Sequence, residues 1–272
     1  MNSQLPKSSA LPNEKQIIDS ITLLLKLLRL PTARRCFVEL YEHSQKEGWT
    51  PLQWLRSILE LEHTERVDRR VSARRSESGL PLGKTIETFD FNEIKGVTRE
   101  EIHALLQGGH WLSKSENILF FGRSGTGKSH LAAAIGHGLI DHGYRVYYSQ
   151  TSRILQHMES ARKEAKLPEW FKKMDKFDVI ILDDISYADK LKVDTGLLFE
   201  LIADRYESRS LIVASNKPFS LWDDVFPDNA RCIAAIDRLV HHGSILELDG
   251  DSYRRKTAVQ QKKTKLNTED IT

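Results

Sequence analysis

Apolar residues recur at helical spacing through IIDSITLLLKLLRL, residues 17–30, until Pro31-Thr32 interrupts the pattern. Side chains three and four apart share one helix face, so the spacing predicts a core-facing helix from Lys15 to Leu30. A second helix, ARRCFVELYEHSQKEG, restarts after the break and is closed by Gly48. A third segment, TPLQWLRSILELEHTERVDRRVSARRSE, begins with Thr50 as N-cap and Pro51 in the first turn, where the missing N–H has no helical partner to lose. Its apolar face fades after Val67. The basic, then Gly- and Pro-containing stretch DRRVSARRSESGLPLGK reads as a helix end running into a linker.

Beyond residue 83 the period changes. Short apolar runs (NILFFG, YRVYYS, DVIILDD, SLIVASN, SILELDG) alternate with helical segments. That alternation predicts an α/β fold, a mostly parallel sheet covered by helices on both faces and preceded by a small helical domain. The expected organisation is a helical N-terminal domain and linker over 1–83, an α/β domain over 84–257, and a basic tail over 258–272. After Tyr253 the polar RRKTAVQQKKTKLNTEDIT has no apolar face and is expected to be frayed.

Composition adds exclusions. The chain has 272 residues and a formal net charge of +2, so any nucleic-acid surface has to come from local clusters rather than overall charge. No run approaches the roughly 18 apolar residues of a membrane span, and the start MNSQLPKSSALPNEKQ lacks the apolar centre of an export signal. A cytoplasmic protein with no membrane partner is expected. Cys36 and Cys232 lie far apart without CxxC or histidine-rich company, and both are expected to be buried small residues rather than metal ligands.

The candidate chemistry starts in FFGRSGTGKSHLAAAIGHGL, residues 120–139. Gly122, Gly127, Lys128 and Ser129 fit GxxxxGK[ST], with an apolar strand before the turn and a helix after it. Gly122, Gly125 and Gly127 allow successive N–H groups to point inward around an anion, and the new helix adds its positive end. The whole turn (Gly122, Arg123, Ser124, Gly125, Thr126, Gly127, Lys128, Ser129), with His130 behind it, is expected to hold a nucleoside triphosphate. Lys128 should reach the β/γ-phosphates, and Ser129 should ligate Mg²⁺. DVIILDD then delivers Asp183 to the C-terminal edge of the sheet, where it is expected to hold Mg²⁺ through its water shell, while Asp184 is placed to polarise an attacking water.

The run YRVYYS lies between the turn and this Asp pair, and SLIVASN follows it. That order suggests the P-loop class with an extra strand beside the P-loop strand, and Asn216 fills the polar position at that strand's tip. An Asn ending a strand is also a common turn residue. In SNKPF, Phe219 stands where a GTPase NKxD motif has its guanine-reading Asp, so ATP is expected rather than GTP. A small-molecule kinase is disfavoured, because no Arg-rich lid segment or acceptor constellation is visible.

The series KTIETFDF, GRSGTGKSHLA, GYRVYYS, VIILDDI, LLFELIADRYE, IVASNKPFSLWDDVF, AAIDRLVHH and DGDSYRRK resembles the IstB proteins, helper ATPases of insertion sequences, from the N-terminal helices to Arg255. The match is most specific in NKPFSLW, IDRLVHH and SYR. IstB proteins are similar to the helicase loader DnaC and belong to the AAA+ class, a P-loop three-layer sandwich. The resemblance implies ATP hydrolysis, binding of duplex DNA with little sequence preference, homo-oligomers with ATP at subunit interfaces, DNA remodelling and promotion of a cognate transposase. It assigns Gly122 to Ser129 as Walker A, Asp183 as Walker B and Asn216 as sensor 1. Arg238 matches an arginine finger reaching the ATP of a neighbouring subunit, and Arg254 the sensor 2 arginine. The alternative for Arg238 is an ordinary helix-surface ion pair. A DnaC-like helicase loader is the alternative function.

Many relatives have Asp-Glu at the end of the Walker B strand, whereas this chain has Asp183-Asp184. The shorter carboxylate stands about one methylene further from the water, which predicts slow hydrolysis. For DNA, the segment SRILQHMESARKEAKLPEWFKKMDK gathers Arg153, Arg162, Lys163, Lys166, Lys172 and Lys173. Phosphate contacts need such residues on a common surface, although Glu159, Glu164 and Glu169 also fit a solvated amphipathic face. Arg69, Arg70, Arg74 and Arg75 form a second candidate.

Overall fold

The structure is a computed structural model and describes residues 13–187, 196–224 and 229–253. Its contacts divide into two compact units, with the division between Ser72 and Ala73 inside a long helix. The first unit holds α1 (Glu14–Leu27), α2 (Pro31–Lys46) and most of α3 (Pro51–Ser78). Asn13 and Gln16 form a capping box on α1, Pro31 opens α2, Gly48 follows α2 at φ 66°, and the Thr50 hydroxyl accepts from Gln53 N–H at 3.3 Å. Ala33, Phe37 and Ile58 form the core of this unit, with Ile18, Ile21, Leu25 and Trp54 against it.

Leu30, the N-cap of α2, offers no capping side chain, and Glu62 of α3 takes over that role. Its Oε2 accepts from the N–H groups of Thr32 and Ala33 at 2.7 and 3.0 Å, and its Oε1 pairs with Arg66 and Arg69 at 3.2 and 3.3 Å. Burial alone would raise this carboxyl's pKa, but the two N–H groups and the two guanidinium groups outweigh it and hold the pKa below the usual range. Beyond Val67, α3 keeps going to Ser78 without an apolar stripe, further than a helix end at the basic stretch would place it. Arg, Ala, Ser and Glu are compatible with helix there, and Arg75 and Glu77 are engaged by Asp141 and Arg145 at 2.6 and 2.7 Å.

The second unit contains a five-stranded sheet with β1 (Asn117–Gly122), β2 (Val146–Gln150), β3 (Val179–Asp183), β4 (Ser210–Ser215) and β5 (Gly243–Leu248). The order is β2-β3-β4-β1-β5, and every pairing is parallel. All five strands coincide with the apolar runs, and β4 is the extra strand between β1 and β3. β1, β3 and β4 are buried almost throughout, as expected of strands covered on both faces. Around the sheet lie α4 (Arg99–Gln107), α5 (Gly109–Ser113), α6 (Lys128–Asp141), α7 (Thr151–Lys163), α8 (Leu167–Met174), α9 (Gly196–Arg205) and α10 (Asn229–His241).

α6 is apolar nearly all round and carries Gly136 and Gly138 where a Cβ would collide with Leu80, Ile181 and Leu106. Small residues therefore let this helix lie close on the sheet and on α4. Buried Arg205 donates to the carbonyls of Met174, Phe177, Asp178 and Ser210, tying the end of α9 to the β3 and β4 entrances. Burial brings its pKa down to about 10, so it stays charged at neutral pH. Cys232 is buried as expected; Cys36 is only partly so, because it lies on the rim of α2 with its thiol turned back to the Thr32 carbonyl at 3.1 Å. No described helix is long and apolar enough to cross a membrane.

Candidate functional site

β1 ends at Gly122, and α6 begins at Lys128, so the glycine turn sits at the C-terminal edge of the central strand. Gly125 and Gly127 have φ values of 89° and 99°, which only glycine adopts readily. Close neighbours exclude a side chain as well: a Cβ on Gly127 would lie 2.5 Å from the Phe89 ring, and one on Gly125 would lie 2.2 Å from Ser252 Oγ. The turn is thus held between two other segments. The bridge between Lys95 and Asp249 and the bond from Tyr253 N–H to the Gly125 carbonyl at 3.1 Å bring those segments in.

Ser124 to His130, Asp183, Asp184 and Asn216 line one cleft, together with Lys84, Thr88, Phe89, Asp90, Glu93, Ile94, Asp251 and Tyr253. Lys128, nearly buried, donates from Nζ to the carbonyls of Gly122 and Arg123 at 2.7 and 2.8 Å. Gly122 and Arg123 meet Lys128 through their carbonyls without lining the cleft, and the Arg123 side chain is exposed. Ser129 Oγ donates to Asp183 Oδ1 at 2.6 Å, and Thr151 Oγ1 donates to the Asp183 carbonyl at 3.1 Å. Asp184 follows the strand at φ 58°, in the left-handed region, so its carboxyl leaves the sheet in a different direction from that of Asp183. Asn216 lies one residue past β4, and its side-chain oxygen accepts from Ser186 Oγ.

Several participants carry no motif. Tyr148, on β2, donates its hydroxyl to Asp183 Oδ2, and burial followed by the adjoining carboxylates pushes its pKa far above the ordinary value of 10.0. His130 Nε2 lies 2.8 Å from the Thr85 carbonyl and 3.2 Å from Thr88 Oγ1, with its ring edge-on to Phe89 at 5.1 Å. Burial lowers the His130 pKa below 6.5, favouring the neutral ring. The segment KTIETFDF thereby forms one wall of the cleft.

Other expected residues stand elsewhere. Arg238, on α10, lies over the Phe199 and Tyr206 rings at 5.1 and 5.9 Å, outside the cleft lining. Phe219 packs on Phe121 and Trp222 at 4.6 and 5.0 Å. Arg153, Arg162, Lys163, Lys166, Lys172 and Lys173 are exposed on α7, α8 and the link between them, opposite buried Ile154, Leu155 and Met158. Lys163 pairs with Glu159 and Lys166 with Glu164, at 3.0 and 2.9 Å. In the second basic run, Arg69 is engaged by Glu62 and Arg75 by Asp141. Arg254 and the basic tail lie outside the described residues.

A glycine turn between a buried parallel strand and a helix, with Asp183 two strands away and Asn216 one residue past the strand between them, is the fold of P-loop domains of the AAA+ class. Solved structures share this architecture. AMPPCP-bound DnaA from Aquifex aeolicus superposes with TM-score 0.53 at 24% identity, over 69% of this chain and 57% of that one. The DnaC helicase loader superposes with TM-score 0.52 at 18% identity, over 62% and 98%. The family described as IstB-like ATP binding protein matches residues 23–261, and the chain belongs to that family. An insertion-sequence ATP-binding protein of Sinorhizobium fredii is 44% identical over 89% of this chain and 81% of its own length. The corresponding protein of insertion sequence IS21 in Pseudomonas aeruginosa is 32% identical over 92% and 96%.

Proposed function

We propose that this protein is an ATP-hydrolysing, DNA-binding helper of transposition that assembles as a homo-oligomer on duplex DNA, remodels it and recruits or stimulates a cognate transposase. One observation carries the ATPase part: the Ser129 hydroxyl and the Asp183 carboxylate meet at 2.6 Å in the cleft that the glycine turn lines. Both are hard oxygen donors, and Tyr148 orients the second carboxylate oxygen, so the pair fits a small divalent cation such as Mg²⁺. When bound, the ion neutralises charge on the phosphate oxygens. The relatives' names, as insertion-sequence ATP-binding proteins, support the transposition setting.

In this reading Ser124 to Ser129 cradle the phosphates, with His130 behind them. The Lys128 ammonium exchanges its two carbonyl partners for β- and γ-phosphate oxygens. Asp184 orients and polarises the attacking water, and the Asn216 amide, steadied by Ser186, bridges that water and the γ-phosphate. With a short carboxylate at this point, hydrolysis is slow and times a DNA-bound assembly. Arg238 serves a neighbouring subunit's nucleotide, which accords with its place outside its own cleft. Arg254 belongs to the site on family resemblance alone. The six exposed residues of the α7–α8 region contact DNA phosphates, with Lys163 and Lys166 giving up surface ion pairs of small value.

The decisive experiment mixes the protein with random-sequence duplex DNA and ATP, ADP or a non-hydrolysable analogue, and follows complex size. Large complexes that depend on the triphosphate are expected. Equal size and DNA affinity in all three would refute nucleotide-gated assembly. Nucleotide-gated complexes that bind a replicative helicase and leave transposition unchanged would favour the loader instead, a reading supported by fold alone.

A further inference from the structure

A second cluster of chemistry-bearing side chains lies outside the nucleotide cleft. Glu207 stands in the turn after α9, His241 closes α10 and His242 follows it. One carboxylate oxygen and one ring nitrogen from each histidine all lie within 4.8 Å of one another. We propose that Glu207, His241 and His242 form a binding site for a divalent transition-metal ion of the zinc type, which clips the end of α10 to the turn after α9. The site goes beyond the ATP-dependent function proposed above and does not depend on it.

The spacing suits such an ion. A tetrahedral centre with bonds of about 2.0–2.2 Å holds its ligands about 3.3–3.5 Å apart. His242 Nε2 and Glu207 Oε1 are already 3.6 Å apart, and the ion has to draw in the His241 nitrogen from within 4.8 Å. The donor set also selects the ion. Two imidazoles and a carboxylate suit zinc and its neighbours, whereas Mg²⁺ and Ca²⁺ prefer oxygen alone. Three protein ligands leave the fourth position to water or to a group on another molecule.

Buried polar residues hold the backbone on each side. Asn117, at the start of β1, donates from its side chain to the Leu239 carbonyl at 3.2 Å and from its backbone to the His242 carbonyl at 2.7 Å, and accepts from Leu211 N–H at 2.9 Å. Arg205 fixes the other side, anchoring the start of the turn that carries Glu207. The ligand backbone is therefore set before any ion arrives, which lowers the ordering cost of binding. Tyr206 Oη lies 2.8 Å from His241 Nδ1 and orients that ring, the supporting contact that metal-binding histidines generally have. His241 is the last residue of α10, where the negative end of the helix favours a cation.

The site has a consequence for Arg238. That residue lies one turn earlier on α10 and stacks over Tyr206. An ion at the cluster fixes both the helix end and the tyrosine, and so steadies the surface that presents the guanidinium.

The test uses the full chain, free of any affinity tag, in buffer with excess Mg²⁺ to occupy oxygen-only sites. Zn²⁺ is titrated calorimetrically, and Co²⁺ is followed by its visible absorption. One Zn²⁺ per chain at micromolar concentration is expected, with the intense bands of a four-coordinate Co²⁺ centre. Glu207→Gln and His242→Asn should each weaken binding by about tenfold or more, and Tyr206→Phe should weaken it less. Zn²⁺ should raise the melting temperature of the parent and not of the His241→Asn/His242→Asn variant. The proposal is overturned if the parent binds no Zn²⁺ at micromolar concentration. It is equally overturned if the folded double variant, checked by circular dichroism, binds with unchanged stoichiometry and affinity.

Discussion

Ser129 Oγ donates a 2.6 Å hydrogen bond to Asp183 Oδ1, joining the first turn of α6 to the tip of β3. Hydroxyl and carboxylate are brought together by strand order, since β3 and β1 are separated only by β4. Asp183→Asn keeps the shape and the Ser129 contact but removes the charge. Phosphate release should fall by about 100-fold or more, while nucleotide affinity measured without Mg²⁺ changes little. Parallel loss of affinity with and without the ion would place Asp183 outside metal binding.

Asp183 has a second partner, and that contact gives a prediction at high pH. The Tyr148 hydroxyl is buried and donates to Oδ2, so its pKa lies far above 10.0, the ordinary phenol value. The unfolded chain loses this proton near pH 10, whereas the folded chain keeps it. Stability from the neutral phenol is therefore complete below about pH 10 and falls as pH rises beyond it. Tyr148→Phe should weaken this fall in alkaline denaturation curves and cost about 1.5–3 kcal/mol at neutral pH, the usual value of a hydrogen bond to a charged group. Unchanged alkaline curves would contradict the contact.

Tyr148 also marks where legibility ends. The turn from Gly122 to Ser129 is readable in the chain because its chemistry needs contiguous residues, and the strand ending in Asp183 is readable as an apolar run stopped by carboxylates. The five strands and a mostly parallel sheet followed from the alternation of short apolar runs with helical segments. Tyr148 and Ser186 act through register and approach across separate elements, and a tyrosine in a strand or a serine in a turn has no distinctive local pattern. KTIETFDF carried the family resemblance but no sign of its job, which depends on Thr85 and Phe89 meeting His130 and Gly127. The long reach of α3 was obscure for another reason: its last turns have no apolar stripe and are held by ion pairs.

The glycine turn predicts a sharp cost for added bulk. Gly127→Ala places a methyl 2.5 Å from the Phe89 ring and forces φ 99° on a residue with a Cβ. The backbone strain alone is about 1–3 kcal/mol, and relief by moving Phe89 opens the cleft wall. A lowered melting temperature with weakened nucleotide binding is expected. Gly83→Ala has open space despite its positive φ of 79°, so it isolates the backbone contribution and should leave nucleotide affinity unchanged.

His130 gives the opposite dependence at the acid end. Burial lowers its pKa from 6.5, while its ring remains bonded to the Thr85 carbonyl. The unfolded state takes up a proton as pH falls through about 6.5 and the folded state resists, so stability declines on acidification from that point until the folded pKa is reached. His130→Asn should flatten urea-midpoint curves between pH 7 and 5. If parent and variant curves ran parallel through that window, the neutral buried ring would be the wrong description.

Arg238 yields the prediction that depends on assembly. Its guanidinium lies over Phe199 and Tyr206, outside the lining of its own subunit's cleft, so Arg238→Ala should leave nucleotide binding intact. Hydrolysis should nevertheless fall by about 1,000-fold, the lower bound for loss of an arginine finger. Lysine at this position lacks the planar fork and should not restore the rate. Mixing separates a finger from a structural residue. In an oligomer containing both Arg238→Ala and Asp183→Asn subunits, some interfaces pair an intact cleft with an intact finger, and activity should return although each variant alone is inactive. A mixture as inactive as its components, in complexes shown to contain both, would mean that Arg238 acts within its own subunit through its stack on Tyr206 and α9.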